Sequence, residues 1–395
     1  MKKFLFFASI AAIALLSCTD SKPNIVKEIK VNIQANLPAG ETAPDKYAVQ
    51  FINYNDNYLV ETTAGPDGKV SAALIPGIYT ISVKGEVPAA SLIYNGSLVN
   101  ITILNDASYT IEMRIAGAGA LVFKELYYCG SRTPANTTYF RDQFYEIYNN
   151  SEAEIYVDGL CIAILYTNLA SANLPTWDIA NQDDYVFLYQ AWLLPGDGTE
   201  YPLQPGESII VCQWATDHTV STLNPNSLDL SSCEYEAIIP GVTNAIMTDG
   251  PPINMELVFN SQANMLQWLT TVNGAAFAIF FPDGKVDFVN HITQVGLTAR
   301  GIPVPLSMII DAVELVTNAA SVQLKRIPTV LDAGAIFVSG QYVQESVSRK
   351  IRGTSADGRL IYQDTNNSTD DFEVQTTPMI RRNGAMKPAW NIWGN

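Results

Sequence analysis

The chain has 395 residues, with 23 basic and 39 acidic side chains and a formal net charge of −16. A hydrophobic content of 48% against 16% charged residues is enough to bury cores, and the length predicts two or three domains. The acidic balance argues against a nucleic-acid partner, which needs clustered Lys and Arg. Two histidines leave little scope for histidine-based metal or general-base chemistry.

Residues 1–17 have the pattern of a bacterial signal peptide. Lys2 and Lys3 precede a run at 4–16 that is apolar except for Ser9. That run is too short to cross a membrane, which takes about 20 apolar residues, and it fits the apolar core of a signal peptide. The residues LLSC, ending at Cys18, resemble a lipobox, and the resemblance implies that Cys18 is lipidated. The alternative is an ordinary secretory signal or an N-terminal anchor helix.

Residues 18–27 have no strand pattern and are predicted to be a tether between the lipid and the first folded module. Thr19, rather than an acidic retention residue, follows Cys18, which favours the outer membrane. We therefore expect an outer-membrane lipoprotein that contacts the bilayer through its acyl chains. The pattern does not distinguish a periplasmic from a surface-exposed face.

Residues 28–115 predict an N-terminal β-sandwich. Apolar and polar residues alternate in several short segments, which is typical of half-buried strands. Turn residues at 65–68, 76–77 and 95–96 separate some of these segments. The alternating apolar positions are Ile29, Val31 and Ile33, then Tyr47, Val49 and Phe51, then Tyr79, Ile81 and Val83, then Val99, Ile101 and Ile103, and finally Tyr109, Ile111, Met113 and Ile115.

The segment GPDGKVSAALIPGIYTISVKG at 65–85 resembles the transthyretin-like or carboxypeptidase-regulatory modules of exported bacterial proteins. Pro76, Gly77, Tyr79 and Ile81 stand at the matching positions. The resemblance implies a spacer or docking unit without catalysis. The Gly/Ala segment that follows, at 116–120, predicts a hinge because it has no large side chain to bury.

Residues 121–381 predict a larger, immunoglobulin-like β-sandwich. The stretch FYEIYNNSEAEIYVDGLCIA at 144–163 resembles the lamin-tail domain. Further segments at 203–211, 278–288, 346–349 and 364–378 follow the order of that family. Because an immunoglobulin-like domain has about 100 residues, the resemblance implies that 164–202 and 213–273 are insertions and that 382–395 form a C-terminal tail.

The whole layout resembles an uncharacterised family of lipoproteins from gut Bacteroides, known as a domain of unknown function. That resemblance implies no activity.

Four cysteines remain after Cys18, and they can be oxidised in an exported chain. Disulfide pairing and buried free thiols both stay open for Cys129, Cys161, Cys212 and Cys233.

Two sets of residues are candidate sites. Oxygen-bearing side chains alternate along an acidic segment with the spacing of a calcium loop, although the turning Gly and the bidentate Glu of an EF-hand are missing. Aromatic rings in the insertions suit sugar binding or, alternatively, core packing. The calcium candidates are Asp364, Asn366, Ser368 and Asp370, and the binding candidates are Trp177, Trp192, Trp214 and Trp268.

Two functions follow from these observations. The first is a non-catalytic outer-membrane lipoprotein that binds a polysaccharide or an envelope protein through its loops. The alternative is an extracellular hydrolase of polymers, which predicts a deep acidic cleft with a perturbed carboxylate pair. No GxSxG, HExxH or Walker motif is present, and His218 and His291 are far apart in the chain. We therefore predict no catalytic residues and no required cofactor.

Overall fold

The computed structural model describes residues 27–53, 58–87, 92–116, 119–242, 246–262, 266–268 and 270–393. The predicted signal peptide, Cys18 and nearly all of the tether lie outside these ranges. The predicted all-β fold is confirmed, because the regular structure consists almost entirely of strands. Within these ranges, none of the helices has the length and the apolar character that crossing a bilayer needs.

The first module consists of two facing sheets. One has the strand order β4-β1-β7 and the other has the order β3-β2-β5-β6-β8. Strand β1 pairs antiparallel with β4 and parallel with β7, and the chain crosses to the other sheet and back before each of these two strands. The strands are β1 (Ile29–Asn36), β2 (Tyr47–Asn53), β3 (Tyr58–Ala64), β4 (Lys69–Leu74), β5 (Gly77–Val87), β6 (Leu92–Ile103), β7 (Ala107–Glu112) and β8 (Arg114–Ala116).

Alternation along these strands places the apolar side chains between the two sheets. In β1 and β2 every second residue is buried. Val31, Phe51, Tyr79 and Ile81 are completely buried in one apolar cluster. The period of two in the sequence therefore specifies the core of this module, as expected for sheets with one buried face.

The turn predicted at Asn95-Gly96 is absent, and both residues lie inside the long strand β6. Gly96 pairs with Val83 of β5. A side chain at Gly96 would meet Ile111, the Glu112 carbonyl and Met113 at less than 3.0 Å. Gly96 is thus required by the close approach of a neighbouring segment, which is a known reason for glycine within a strand.

The second module is built around two larger sheets. The first has the order β19-β18-β17-β12-β9-β25-β28, and the second has the order β22-β23-β15-β14-β21-β24 with β20 also paired to β15. Their strands are β9 (Leu121–Tyr127), β12 (Phe144–Asn149), β14 (Cys161–Leu165), β15 (Tyr185–Leu193), β17 (Ser208–Cys212), β18 (Tyr235–Glu236), β19 (Ile253–Asn254), β20 (Glu256–Asn260), β21 (Ala276–Phe280), β22 (Ile292–Thr293), β23 (Arg300–Pro305), β24 (Ile309–Glu314), β25 (Ser346–Arg349) and β28 (Phe372–Gln375).

Shorter elements connect these sheets. A single α-turn precedes β28, and 3-10 turns occur in several loops of the described ranges. The remaining elements are β10 (Ser131–Arg132), β11 (Thr138–Tyr139), β13 (Ile155–Tyr156), β16 (Pro202–Leu203), β26 (Ile351–Thr354), β27 (Leu360–Tyr362), α1 (Ser368–Asp371) and the 3-10 turns Gln182–Asp184, Leu306–Met308, Ala319–Leu324 and Arg382–Gly384.

The segments expected to be insertions contribute strands to both sheets. Strand β15, from the range 164–202, pairs with β14, β20 and β23 in the middle of its sheet. Strands β18, β19 and β20, from the range 213–273, extend the two sheets. The second module therefore has larger sheets than a compact immunoglobulin-like domain, and its lamin-tail likeness stays a prediction.

Large side chains fill the space between these two sheets. Phe123, Tyr145, Phe277 and many aliphatic side chains form one buried cluster. The ring centroids of Tyr145 and Phe277 lie 4.6 Å apart, within the range of favourable aromatic pairs.

The cysteines beyond the tether are all buried free thiols: Cys129, Cys161, Cys212 and Cys233.

The C-terminal segment crosses the outer face of the first large sheet and is anchored there by charge. The Arg382 Nε donates to Glu125 over 2.8 Å, and the Arg381 Nη2 donates to Glu234 over 2.5 Å. Further along, the Trp390 Nε1 donates to the Pro202 carbonyl over 2.8 Å. The predicted tail is therefore part of the folded module.

Candidate binding site between the two modules

The seam between the modules is closed by the segment 364–371. The Asp364 Oδ2 accepts a hydrogen bond from the Gly119 N–H over 2.5 Å. The Thr365 carbonyl accepts one from the Asn95 Nδ2 over 3.0 Å, between residues 270 positions apart. A Cβ at Gly119 would meet the Ile310 carbonyl at 2.8 Å. The described part of the predicted hinge is therefore packed against the second module.

A buried arginine holds this segment in place. The Arg349 Nη2 lies 2.6 Å from Asp311, and its Nη1 lies 3.3 Å from Asp364. Its Nε donates to the Phe123 carbonyl over 2.8 Å. Burial raises the pKa of Asp311 to about 7 against the opposing effect of Arg349. The cluster therefore joins β9, β24, β25 and the seam segment through charge-assisted hydrogen bonds.

Beside this seam, a cleft of about 570 Å³ opens between the modules. Its volume falls within the range of about 300–1,000 Å³ that is typical of small-molecule sites. The first module contributes residues of β6 and β7, and the second contributes β15 and the loops around it. Its walls include Asn95, Gly96, Ser97, Leu98, Thr110 and Glu112 on one side and Leu174, Pro175, Trp177, Asp183, Tyr185, Phe187, Lys325 and Arg326 on the other.

Aromatic packing forms the rigid wall of the cleft. The ring of Trp177 stacks on Phe187 with centroids 4.8 Å apart, and Tyr166 meets it edge-on at 4.9 Å. A Cβ at Gly301 would lie 2.6 Å from the Trp177 ring, which shows how closely the backbone packs there. Trp177 is only 4% exposed. It therefore lines the cleft without offering a free face.

Arg326, one of the two basic residues of the cleft, is engaged within the protein. Its Nε donates to Glu314 over 2.7 Å, and both side chains of this ion pair are completely buried. Its Nη2 donates to the Leu315 carbonyl over 2.5 Å, and its Nη1 donates to the Thr167 carbonyl over 3.1 Å. The guanidinium thus supports loops behind the wall.

Lys325 is also engaged. Its Nζ donates to the carbonyls of Ile327 and Asp332, over 2.6 and 2.5 Å. Burial lowers the pKa of this ammonium, with Asp332 acting in the opposite direction. The two cations of the cleft wall therefore satisfy protein acceptors.

Asn95 has a buried, unpaired acceptor behind the surface of the cleft wall. Its side chain is almost completely buried, and its Nδ2 is occupied by the Thr365 carbonyl. Its Oδ1 has no hydrogen-bond donor among the described residues. A buried acceptor without a donor costs about 1–3 kcal/mol. Glu112 and Asp183, which also line the cleft, add carboxylate acceptors.

The other three candidate tryptophans pack the interior of the second module. Trp268 stacks on Phe277 and donates its Nε1 to the Thr270 hydroxyl over 2.8 Å. Trp192 lies in the same buried cluster, and Trp214 donates to the Thr248 carbonyl over 3.0 Å. This corrects the expectation of ligand-binding faces, because burying these large rings fills the space within and beside the sheets.

The four calcium candidates are placed around a helical turn, and the side chains of three of them contact separate partners. Asp364 pairs with Arg349, and the Ser368 hydroxyl donates to Asp332 over 2.5 Å. Asp370 accepts from a neighbouring amide, and Asn366 adopts a positive φ of 52°. No His, Cys, Asp and Glu side chains of the described ranges group as a metal site. Calcium binding stays a prediction, which a thermal-shift titration with CaCl2 and EDTA tests.

Carboxylates with raised pKa values lie outside the cleft. Burial raises the pKa of Asp142 to about 6 and that of Glu236 to about 7. Asp142 accepts hydrogen bonds from the hydroxyls of Ser131 and Ser227. His218 is buried against Tyr139, with Nδ1 and the hydroxyl 2.6 Å apart, and makes no contact with Asp142 that would complete a triad. The described residues thus place these perturbed groups in structural networks.

Sequence reasoning did not find this site. From the sequence, Asn95 was predicted to lie in a turn, and Asp364 was predicted to be a ligand in a calcium loop. Their actual role depends on contacts between distant segments, for which a single sequence has no local pattern. The one useful signal was the aromatic content of the range 164–202, which contributes Trp177 and Phe187 to the wall.

A solved structure from Bacteroides thetaiotaomicron, described as a DUF4876 family protein, is 36% identical to this chain. The match covers 92% of this chain and 99% of the other, with a TM-score of 0.65. The chain belongs to the DUF4876 family. The family model, described as a protein of unknown function, matches residues 204–379 of this DUF4876 protein. The predicted resemblance to an uncharacterised Bacteroides family is thereby confirmed.

More distant structures also align with this DUF4876 protein. An adhesin candidate from Bacteroides ovatus is 8% identical, with 76% of this chain and 89% of the other covered and a TM-score of 0.19. A DUF3823 family protein from Parabacteroides merdae is 11% identical, with 70% and 96% covered and a TM-score of 0.17. TM-scores this low do not establish a shared fold, and we base no conclusion on these two structures. No protein of curated function matches the chain.

Proposed function

We propose that this DUF4876 protein is a non-catalytic lipoprotein of the outer membrane that binds a polysaccharide or an envelope protein in the cleft between its modules. The observation that carries the proposal is the cleft of about 570 Å³ with walls from both modules. Concave sites between rigid elements are where proteins usually bind ligands. The proposed anchor is Cys18, which lies outside the described residues.

Three features support binding rather than catalysis. The aromatic wall around Trp177 is packed and rigid, which suits a preformed binding surface. The acidic residues that line the cleft are Glu112 and Asp183, one from each module. The buried carboxylates with raised pKa values belong to other networks. No specific observation favours the polymer hydrolase.

The anchor is tested with Cys18→Ala in the full-length precursor. Removing the thiol leaves no group to acylate, so we expect the variant to stay unprocessed or to appear in the soluble fraction. Fractionation and metabolic labelling with a palmitate analogue provide the readouts, and Cys129→Ala is the control. A variant that remains in the outer membrane with unchanged mobility and label contradicts lipidation.

Binding is tested with the mature chain prepared without its lipid. A glycan array covers polysaccharide ligands, and cross-linking in outer-membrane preparations, followed by identification of the captured protein, covers envelope partners. We expect one ligand class to bind the wild-type protein reproducibly. Retention of neither class contradicts the proposed function.

A further inference from the structure

The polar groups that the cleft offers to a ligand are carboxylates and hydroxyls. Glu112 and Asp183 contribute exposed carboxylates, which accept hydrogen bonds. Ser97, Thr110 and Tyr185 contribute hydroxyls, which both donate and accept. Such a lining is complementary to a ligand that is rich in hydroxyl groups.

Charge argues against an anionic ligand. The basic residues in the cleft lining are Lys325 and Arg326. The Lys325 ammonium donates to two carbonyls, and the Arg326 guanidinium donates to Glu314 and to carbonyls. A carboxylate, sulfate or phosphate would therefore lose water without gaining a free cation, and it would face the two acidic residues of the lining.

Apolar side chains also line the cleft. Leu98 faces the cleft from the first module, and Pro175 and Phe187 face it from the second. The ligand that matches this mixture has apolar C–H surfaces bordered by hydroxyl donors. Sugar rings combine both features without carrying charge.

From these contacts we infer that the cleft binds a segment of a neutral glycan, with ring hydroxyls hydrogen-bonded to the carboxylates and hydroxyls of the lining and C–H surfaces against the apolar wall. The inference rests on the proposed function, since it names the ligand class of the same site. The volume suits a short oligosaccharide segment.

The test fills the cleft from its exposed rim. Thr110 lies on β7 with an exposed side chain, so Thr110→Trp places a large ring in the cleft without disturbing the apolar core. Thr102→Trp is the matched control, because Thr102 is also an exposed threonine on a strand of the first module and is absent from the cleft lining. Far-UV circular dichroism verifies the fold of both variants.

Neutral glycans and their sulfated or uronic analogues are compared on an array and then by calorimetry with the mature full-length chain. We expect binding of neutral glycans, a loss of at least about tenfold in Thr110→Trp, equivalent to about 1.4 kcal/mol, and unchanged affinity in Thr102→Trp. Preference for the anionic analogues overturns the inference. Glycan binding that Thr110→Trp leaves intact also overturns it, and of the proposed function only the binding role then survives, without its place in the cleft.

Two further outcomes separate the inference from the proposed function. If no glycan binds and Thr110→Trp abolishes cross-linking to an identified envelope protein, the glycan class is wrong and the cleft remains the site. If neither glycans nor envelope proteins bind the wild-type chain, the proposed function itself is overturned.

Discussion

The interiors of the two modules are stabilised by different kinds of interaction. In the described part of the first module, the core is a single apolar cluster, and the ion pair Lys84–Glu86 lies near the surface with 22% and 38% of its side chains exposed. The second module buries several ion pairs, including Lys124–Glu146 at 2.9 Å and Arg326–Glu314 at 2.7 Å. The same fold class therefore tolerates two very different interiors.

The difference follows from topology. In the first module most paired strands are close in the chain, although β1 also pairs with β7, and the alternating pattern is enough to bury the apolar side chains. The second module joins segments that are far apart in the chain, and long loops must be fastened to the sheets. Buried charges with several hydrogen bonds fasten such loops in specific places, at the cost of desolvation. Removing one residue of an ion pair should therefore lower the stability of the second module more than that of the first.

The tryptophans allow the modules to be followed separately. All six lie at or beyond position 177 of the chain, in the second module. Tryptophan fluorescence during urea unfolding thus reports on the second module, while far-UV circular dichroism reports on both. This separation makes the comparison between the modules measurable.

The largest expected effect comes from Arg349→Met. The substitution leaves Asp311 and Asp364 buried without their shared cation, which costs about 3–5 kcal/mol of unfolding free energy. Urea unfolding followed by tryptophan fluorescence measures the loss. The triple variant with Asp311→Asn and Asp364→Asn should recover part of it. A loss below about 1 kcal/mol in the single variant would contradict the role of this cluster.

A smaller effect is expected from pH acting on Asp142. Because the native carboxyl has its pKa raised to about 6, it holds a proton in a pH range where the unfolded chain has released it. Its contribution to stability is therefore largest at acidic pH and is lost as the pH rises from about 4 to about 6. Between pH 4.5 and 7.5 we expect the wild type to lose on the order of 1 to 2 kcal/mol relative to Asp142→Asn. Parallel pH profiles of the two proteins would contradict the raised pKa.

In the first module, Ile81→Val tests a core that depends on apolar packing. Ile81 is completely buried, and removing one methylene group should cost about 0.5–1.5 kcal/mol. Far-UV circular dichroism during urea unfolding should show the change, while the tryptophan transition of the second module shifts less. Equal shifts of both transitions would show that the modules unfold as one unit.

The smallest effect is expected from Lys84→Met. The Lys84–Glu86 pair is partly exposed, so its removal should change the unfolding free energy by less than about 1 kcal/mol. Measured beside Arg349→Met, it provides the exposed counterpart of the buried ion pair. A cost similar to that of Arg349→Met would remove the proposed distinction between the modules.

The sequence was most informative where structure depends on local pattern. Alternation predicted the strands around Val31, Phe51 and Ile81, and their burial follows directly from it. The resemblance to an uncharacterised Bacteroides family, which rested on the layout of the whole chain, is confirmed. The turn predicted at Gly96 was wrong, because glycine occurs both in turns and where a neighbouring segment packs closely against a strand.

By itself, the sequence determined the all-β class, the apolar core of the first module, the acidic character of the chain and the resemblance to its family. Tertiary structure alone decided that Trp192, Trp214 and Trp268 are buried, that Asp364 fastens the seam, and that Asn95 lines a cleft. Strand period and composition are local properties, whereas the charge networks and the cleft arise between residues up to 270 positions apart. Only the folded chain brings such residues within hydrogen-bonding distance.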